Sequence, residues 1–256
     1  GGGQSGGSDT AAGPPPPYPQ VSEWTPRERL AAEKESLGFY ISGHPIDRYA
    51  PDLNKAKALR VEQLLDPMQG LNPRERPEVQ VGGVVSDFRE RPLKSGNGRM
   101  AIFRLEDQSG SIEVVCFSKA YADYEEALKS GEPLLVTGNL IAEGDGAGAG
   151  GGNEGEPREQ RKMHMRAAQP LSQLRREKTQ RVIIDLSADG TTKDQVERLQ
   201  RVLRTHHGHV PVSLRIVQPA RWRVEARLPQ HIAVLPTDEC LQEIETLCGR
   251  SAIHLR

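Results

Sequence analysis

Residues 100–117 read MAIFRLEDQSGSIEVVCF, and this stretch decides the fold of the chain. Apolar and polar residues alternate along both of its arms, with the period of strands buried on one face. Between the arms, DQSG at 107–110 predicts a four-residue turn. A hairpin closed at that turn sets three apolar pairs opposite one another: Leu105 with Ile112, Phe103 with Val114, and Ala101 with Cys116. The same register sets Arg104 beside Glu113 on the outer face, so one turn satisfies core and surface together.

Further elements flank this hairpin. The patterns predict a strand at 79–88, a helix at 118–128, and two more strands at 133–141 and 162–167. Three strands, a helix and two strands, in that order, predict a five-stranded OB barrel. The segment 143–160 between the last two strands is glycine-rich and carries five acidic residues against one basic residue. It therefore predicts a disordered insert with negative charge.

The pattern changes after Arg181. The predicted elements there are strands at 182–186 and 210–217, helices at 192–206 and 237–248, and a half-exposed strand at 221–228. The half-exposed strand alternates Trp222, Val224 and Ala226 with charged residues. Together these elements predict a small α+β domain over residues 181–256, which is long enough to form its own core.

The remaining segments complete an α+β, multi-domain organisation. Residues 1–21 are rich in glycine, serine and proline, which predicts a disordered linker. Residues 22–75 predict a helical connecting segment, in which Thr25, Pro26 and Glu28 form a helix start. The OB-fold domain is then expected over residues 76–175. Hydrophobic residues make up 36% of the chain and aromatic residues 4%, which suits small domains better than one large core.

Composition excludes several classes of protein. The net charge is -1, so any nucleic-acid surface must be a local patch. The three cysteines, Cys116, Cys240 and Cys248, form no CxxC pair, which indicates buried thiols in a reducing compartment. No apolar run approaches membrane-spanning length and no signal-peptide pattern is present. We therefore expect a cytoplasmic protein with no membrane partner, and the start without methionine suggests a piece of a longer protein.

The sequence shows no motif for catalysis or metal binding. GxSxG, the phosphate-binding P-loop, HExxH and paired DxD acids are all missing. The isolated histidines and cysteines have simpler interpretations: a solvated helix end for His206, His207 and His209, a structural turn for His44, and buried apolar packing for Cys240 and Cys248. We therefore expect no catalytic residue, no metal site and no cofactor in this chain.

A basic segment after the first strand is the strongest candidate site. In OB barrels, strands 2 and 3 and the adjoining loops usually form the ligand face, where cations meet phosphates and aromatic rings stack on bases. The candidate nucleic-acid-binding residues are Arg89, Arg91, Lys94 and Arg99 in the predicted first loop, Arg104 on strand 2, Phe117, and Lys119 after strand 3. Plain solvated surface stays open as the alternative, because several arginines in a loop are often only that. The acidic insert would also repel a phosphate backbone.

Five segments share the pattern of one family: EKESLGFYISGHPID at 33–47, VGGVV at 81–85, LEDQSGSIEV at 105–114, VTG at 136–138 and GHVPV at 208–212. In these segments the chain resembles the C-terminal region of the bacterial replicative DNA polymerase III α subunit. The resemblance covers residues 22–256, apart from the glycine-rich insert, which departs from the family pattern.

The resemblance implies part of a DNA-directed DNA polymerase, a nucleotidyltransferase that uses palm-domain aspartates and Mg²⁺. Those regions lie upstream in the family, so this chain is expected to be inactive alone and to hold no cofactor. The resemblance further implies contact of the OB domain with single-stranded DNA, docking of the C-terminal domain on the clamp-loader τ subunit, and a sliding-clamp motif upstream. Trp222 on its strand and the outer face of the helix at 237–248 are candidates for the τ contact, with plain solvated surface as the alternative for both. The alternatives are a stand-alone OB protein that binds single-stranded nucleic acid, and an adaptor with an inert barrel.

Overall fold

The computed structural model describes Trp24 and residues 26–38, 40–93, 98–143 and 160–256, with backbone only at residues 26, 27, 31, 143 and 250. The chain forms two compact units, Gly1–Gly43 and His44–Arg256. The predictions of a linker at 1–21 and a cap at Thr25 lie outside the described residues, as do residues 144–159 of the insert predicted at 143–160. The two end residues of that predicted insert, Glu143 and Gln160, lie in strands. The domain boundaries drawn from the sequence remain predictions.

The first unit contains helix α1 (Pro26–Leu37). Glu33 on this helix forms hydrogen bonds with the segment that follows the helix. The Glu33 carboxylate accepts hydrogen bonds from the backbone N–H groups of Ile41 at 2.8 Å and Ser42 at 2.9 Å. It also accepts one from the Ser42 hydroxyl. These hydrogen bonds, led by the one from the hydroxyl, lower the pKa of Glu33 below its ordinary value. Part of the family pattern at 33–47 is thus explained by a local turn.

The second unit is built around a closed barrel of five strands in the order β1-β2-β3-β5-β4. The barrel elements are β1 (Glu78–Pro92), β2 (Arg99–Glu106), β3 (Ser111–Cys116), helix α4 (Ser118–Lys129), β4 (Leu134–Glu143) and β5 (Gln160–Pro170). Strands β3 and β5 are parallel, and the other neighbours are antiparallel. The predicted five-stranded barrel, with its helix between the third and fourth strands, is confirmed.

The hairpin register predicted from the sequence is also confirmed. Strands β2 and β3 pair Leu105 with Ile112, Phe103 with Val114, Ala101 with Cys116 and Arg104 with Glu113. All the inward residues of these pairs are at most 1% exposed, so the alternation places one face of the hairpin in the barrel core.

The turn of this hairpin has a second role that the sequence pattern did not reveal. Asp107 Oδ1 accepts hydrogen bonds within the turn, including one from the Ser109 backbone N–H at 2.7 Å. Its Oδ2 accepts from the backbone N–H of Val61 at 2.8 Å, and Ser109 Oγ accepts from that of Glu62 at 3.0 Å. Val61 and Glu62 begin helix α3 (Val61–Leu65), which follows the short helix α2 (Ala50–Lys55). The turn therefore supplies acceptors for N–H groups that lack partners at the start of α3.

Two strands, β1 and β5, are longer than predicted. The greater length of β1 changes where residues of the candidate site lie. Strand β1 runs on to Pro92, so Arg89 and Arg91 lie in a strand and not in the first loop; likewise Arg99 begins β2. The strand continues because a bulge between Ser86 and Arg89, with Asp87 at φ 48°, restores pairing with β2. Strand β5 is also longer than predicted, from Gln160 to Pro170.

Gly138 shows why the VTG segment needs glycine. It lies beside a register shift between β4 and β5, and a Cβ built on it would lie 2.2 Å from the carbonyl oxygen of His164. No side chain can occupy that space unless the two strands separate. The glycine thus allows close backbone approach at a bulge of the barrel.

We expect the Gly138→Ala variant to lose about 1–3 kcal/mol of unfolding free energy, because overpacking against backbone forces strand displacement. Urea denaturation followed by circular dichroism measures the loss. Gly131→Ala is the control for backbone strain without a clash: Gly131 has φ 71°, and no atom lies within 4 Å of the position that a Cβ would take there. A Gly138→Ala variant as stable as wild type would contradict the close approach.

A second sheet follows the barrel, with strand order β10-β6-β8-β9. Its elements are α5 (Leu171–Lys178), β6 (Val182–Ser187), α6 (Lys193–Thr205), β7 (His207–Val210), β8 (Val212–Gln218), β9 (Trp222–Arg227), α7 (Asp238–Cys248) and β10 (Ile253–Leu255). Strands β6 and β8 are parallel, while β9 and β10 are antiparallel edges. Helices α6 and α7 pack on one face, as the α+β prediction requires. Helix α5 and strands β7 and β10 were not predicted.

The histidines near residue 208 are not simply a solvated helix end. His206 caps α6 and its Nε2 lies 3.1 Å from Glu243 Oε1, but His207 and His209 lie on β7. The strand forms because its backbone bridges to Val234. A Cβ on Gly208 would lie 2.3 Å from the Leu235 nitrogen, which explains the glycine between the two histidines.

The cysteine prediction is largely confirmed. Cys116 and Cys240 are buried, and Cys248 is half-buried, all three as free thiols. Burial raises the pKa of the Cys116 thiol to about 11 and that of Cys240 to about 12. His44 lies in a turn, as predicted, where its backbone N–H donates to Asp47 Oδ2 at 2.8 Å.

A buried ion pair joins distant segments of the second unit. Arg175 Nε donates to Asp52 Oδ2 at 2.9 Å, and the two side chains are 4% and 2% exposed. The same guanidinium donates to Asp238 Oδ1 at 3.2 Å and lies 4.2 Å from the ring centroid of Tyr49. Burial, together with the hydrogen bond to Asp238, raises the pKa of Tyr49. This cluster, called the Arg175 node below, connects α2 and α5 to the first turn of α7.

The helices of the described chain are short. The longest of them, α6, has 13 residues. Within the described ranges, no helix combines the length and the apolar character needed to cross a bilayer.

Candidate nucleic-acid interface

The outer face of the barrel is assembled from strands β1, β2, β3 and β5. Residues paired across neighbouring strands point to the same face, so the register defines which side chains share it. One row across the sheet contains Arg89, Ile102, Val115 and His164; the next contains Arg104, Glu113 and Lys162. Arg91 is paired with Met100 on the other side of the first row. From β1 to β5 the row covers three inter-strand steps, about 14 Å measured along the curved wall of the barrel.

The centre of this face is apolar and partly exposed. Phe117, just after β3, is 48% exposed, and its ring meets that of His164 edge-on, with centroids 5.0 Å apart and planes at 85°. Ile102 and Val115 are half-buried beside it. These four residues, Ile102, Val115, Phe117 and His164, are called the platform. Phe103 points the other way and is 1% exposed, as the sequence predicted.

Three of the predicted cations are available to a ligand. Arg89, Arg91 and Lys119 are exposed, and none of the three has a carboxylate partner among the residues that the structure describes. Arg89 is in the same row as the platform, Arg91 lies two residues further along β1, and Lys119 lies in the first turn of α4. An unpaired cation needs no internal ion pair to be broken before it binds a phosphate.

Other predicted cations have partners within the protein. Arg99 lies 3.1 Å from Glu90, which also contacts Lys129 at 2.5 Å. The contact with Lys129 lowers the pKa of Glu90, so this carboxylate stays charged beside Arg99.

Arg104 is exposed and held more loosely. It donates to Ser111 Oγ at 2.7 Å and lies 3.8 Å from Asp87. An exposed ion pair of that length contributes little and can exchange for a phosphate. Lys162, on the neighbouring strand, lies 2.9 Å from Glu113. Lys94 lies outside the described residues.

Phe117 follows Cys116, the partner of Ala101, so the register places it near the row of Arg91 and Met100. Arg89 lies in the next row and Arg104 in the row beyond, while Lys119 lies in the first turn of α4. Sequence reasoning missed Ile102, Val115 and His164. The signal for His164 was present, since Met163 and Met165 are buried on either side of it and the three residues alternate as a strand. What the pattern could not show is the parallel pairing of β3 with β5, which brings His164 to Phe117.

The geometry suits one kind of ligand. Aromatic and apolar side chains at the centre can stack on bases, and arginines along one side can contact phosphates. A flexible single strand can expose both groups and follow the curved wall of the barrel, whereas a duplex keeps its bases stacked inside.

Comparison with known protein families identifies the type of fold to which the barrel belongs. The family model for OB-fold nucleic acid binding domains of the tRNA anti-codon type matches residues 79–161. That range contains all seven candidate residues named from the sequence and ends just before His164.

The chain also matches a part of much longer curated proteins. It is 35% identical over 206 residues to DNA polymerase III subunit alpha of Deinococcus radiodurans, which is 80% of this chain and 14% of the relative. It is 29% identical over 239 residues to the same subunit of Vibrio cholerae, or 93% of this chain and 19% of the relative. The chain thus spans less than a fifth of these relatives.

Part of this chain is also similar to a solved structure. The small single-stranded DNA-binding protein from Streptomyces coelicolor matches 40% of this chain and 95% of its own, with 20% identity and a TM-score of 0.28. That TM-score is too low to support a statement about function. The family model and the curated relatives agree with the barrel topology, and the chain is therefore homologous to a part of DNA polymerase III subunit α and contains an OB-fold domain.

Proposed function

We propose that this chain is the C-terminal, non-catalytic part of a replicative DNA polymerase III α subunit, and that its OB domain contacts single-stranded template DNA. The observation that carries the proposal is the outer face of the barrel, where the exposed Phe117 ring meets His164 and the unpaired Arg89 pairs across the strands with Ile102. The family pattern and the homology support the replicative context.

The two parts of the face have different roles. Bases stack on the platform, and each base stacked on an aromatic ring contributes about 1–3 kcal/mol. Arg89, Arg91 and Arg104 contact phosphates of the strand, which requires no particular base sequence. With one exposed phenylalanine at the centre of the face, the interaction is weak and strongly dependent on salt.

The test of the stacking role is the Phe117→Ala variant. We expect its affinity for a labelled oligothymidine to fall about 5- to 100-fold, the equivalent of one lost base stack. Fluorescence anisotropy measures it at low salt. Trp222→Ala is the matched control, because Trp222 is equally exposed at 48% but lies on the second sheet. Equal affinity of Phe117→Ala and wild type would defeat the assignment of the platform.

The phosphate-binding arginines have a separate signature. In the Arg89→Ala, Arg91→Ala double variant, the slope of log K against log salt concentration should become shallower by about 0.7 for each phosphate that the protein no longer neutralises. Arg201→Ala with Arg204→Ala removes the same charge from the exposed side of α6 and should leave the slope unchanged. If both double variants change the slope equally, the effect is one of net charge and the face is not the site.

The proposal also concerns the polymerase complex of which this chain would be a part. The catalytic aspartates and their Mg²⁺ belong to other parts of the polymerase, so these 256 residues should extend no primer in a polymerase assay. The second sheet docks the clamp-loader τ subunit, and the sliding clamp binds elsewhere in the α subunit. The complex acts in the cytoplasm. Tight single-strand binding by this chain alone would instead favour an independent single-strand binding protein.

A further inference from the structure

Strand β9 is an unprotected edge of the second sheet. It pairs with β8 on one side, and no other strand pairs with it in the described part of the chain. All six of its residues are exposed. An edge of this kind presents a row of unpaired backbone N–H and C=O groups to solvent.

The two faces of β9 differ in chemistry. Trp222, Val224 and Ala226 are paired with Gln218, Ile216 and Leu214 of β8. This is the face on which α6 and α7 pack, since Leu214 belongs to their core. The helices do not cover β9, however, because Trp222, Val224 and Ile216 remain 48%, 54% and 37% exposed.

The opposite face of β9 is basic. It presents Arg223, Glu225 and Arg227. Glu225 lies 3.6 Å from Arg181, whereas neither Arg223 nor Arg227 has a carboxylate partner within the described ranges. Arg215, the β8 partner of Glu225, is held by Asp185 at 2.6 Å and 2.7 Å. Two arginines on this edge are thus free to bind acidic groups.

We propose that β9 accepts an extended acidic segment of another protein as an added strand, with alternating apolar and acidic side chains. In such a complex the backbone of the segment pairs with the free edge. Its apolar side chains cover Trp222, Val224 and Ile216 on one face, and its carboxylates meet Arg223 and Arg227 on the other.

The geometry favours this occupant over two others. A nucleic-acid strand cannot stack on Trp222 and contact Arg223 and Arg227 together, because they lie on opposite faces of the sheet. A second copy of β9 would bring two basic edges together, since Arg221, Arg223 and Arg227 outnumber Glu225 on each. Only a segment with alternating chemistry matches both faces at once. The inference is independent of single-strand binding by the barrel, but it rests on the proposed docking of a partner protein on the second sheet.

The hydrogen-bonding pattern of β9 shows which backbone N–H group can be removed to test the proposal. The backbone N–H of Leu228 donates to the carbonyl oxygen of Val212 at 2.9 Å. Because donors alternate along an antiparallel strand, the N–H groups of residues 222, 224 and 226 point to β8, and those of 223, 225 and 227 point to the free edge. Proline at 225 therefore removes an outward donor without removing a hydrogen bond to β8.

The experiment measures binding of two labelled nonapeptides to the full chain, one alternating glutamate with valine and the other lysine with valine. We expect the acidic peptide to bind and the basic one not to. Glu225→Pro should weaken the acidic peptide at least 10-fold, while Glu225→Ala, the matched control, binds at least as well as wild type. Arg223→Glu with Arg227→Glu should reverse the preference of the two peptides, which gives a second test if proline disturbs the sheet.

Four results would overturn the proposal. The acidic peptide could bind no better than the basic one, or bind Glu225→Pro as well as Glu225→Ala. Light scattering could show a wild-type dimer that Glu225→Pro dissociates, which would make a second copy the occupant. The charge-reversed variant could lose affinity for oligothymidine and leave peptide binding unchanged, which would make nucleic acid the ligand. Phe117→Ala, which tests the barrel, should change none of the peptide affinities.

Discussion

The Arg175→Met variant should lose about 3–5 kcal/mol of unfolding free energy. Methionine occupies a similar volume but leaves the Asp52 carboxylate, 2% exposed, without its cation. A buried charge without a partner is strongly destabilising, since the surrounding protein cannot replace its hydration. Urea denaturation of the full chain measures the effect.

A neighbouring arginine and a double variant separate charge from packing. Arg176→Ala changes an exposed residue of the same helix and should alter stability by no more than about 0.5 kcal/mol. Adding Asp52→Asn to Arg175→Met removes the unpaired charge, so we expect part of the lost stability to return. If the double variant is no more stable than Arg175→Met, the cost arises from poorer packing and not from the charge.

The Phe103→Ala variant should destabilise the barrel by about 3–5 kcal/mol, because removal of a buried aromatic ring leaves a cavity that the strands cannot close. Phe103 is 1% exposed, and its ring centroid lies 6.3 Å from that of Phe88. Thermal unfolding followed by circular dichroism gives the change.

The adjacent residue supplies the control for Phe103. Ile102 lies on the opposite face of the same strand, in the platform, and its change to alanine should cost about 1 kcal/mol or less. Ile102→Ala should instead weaken oligothymidine binding. Equal destabilisation by the two variants would mean that the faces of β2 are not separated as described.

The hairpin illustrates what the sequence could predict. Its alternation, its turn and its charge pair are all local, so residues 100–117 contain the information that sets the register of β2 and β3. The outward position of Arg104 follows from the same alternation. The order of elements was then enough to predict the barrel.

Other features depend on distant residues and could not be predicted in this way. The extension of β1 through Arg91 depends on a bulge at Asp87, which a charged stretch does not reveal. His164 joins the platform only through the parallel pairing of β3 and β5. The Arg175 node was missed because Asp52 is 123 residues away along the chain and a basic helix normally indicates solvent.

Photo-crosslinking of the chain to an oligothymidine that carries 5-iodouracil tests the central claim most directly. The iodinated base reacts with side chains that it contacts, and mass spectrometry identifies the residue. We predict crosslinks at Phe117 and His164 on the platform, and their loss in Phe117→Ala. Crosslinks found only away from the outer face of β1, β2, β3 and β5, for example at Trp222, would contradict the claim that this face contacts single-stranded DNA.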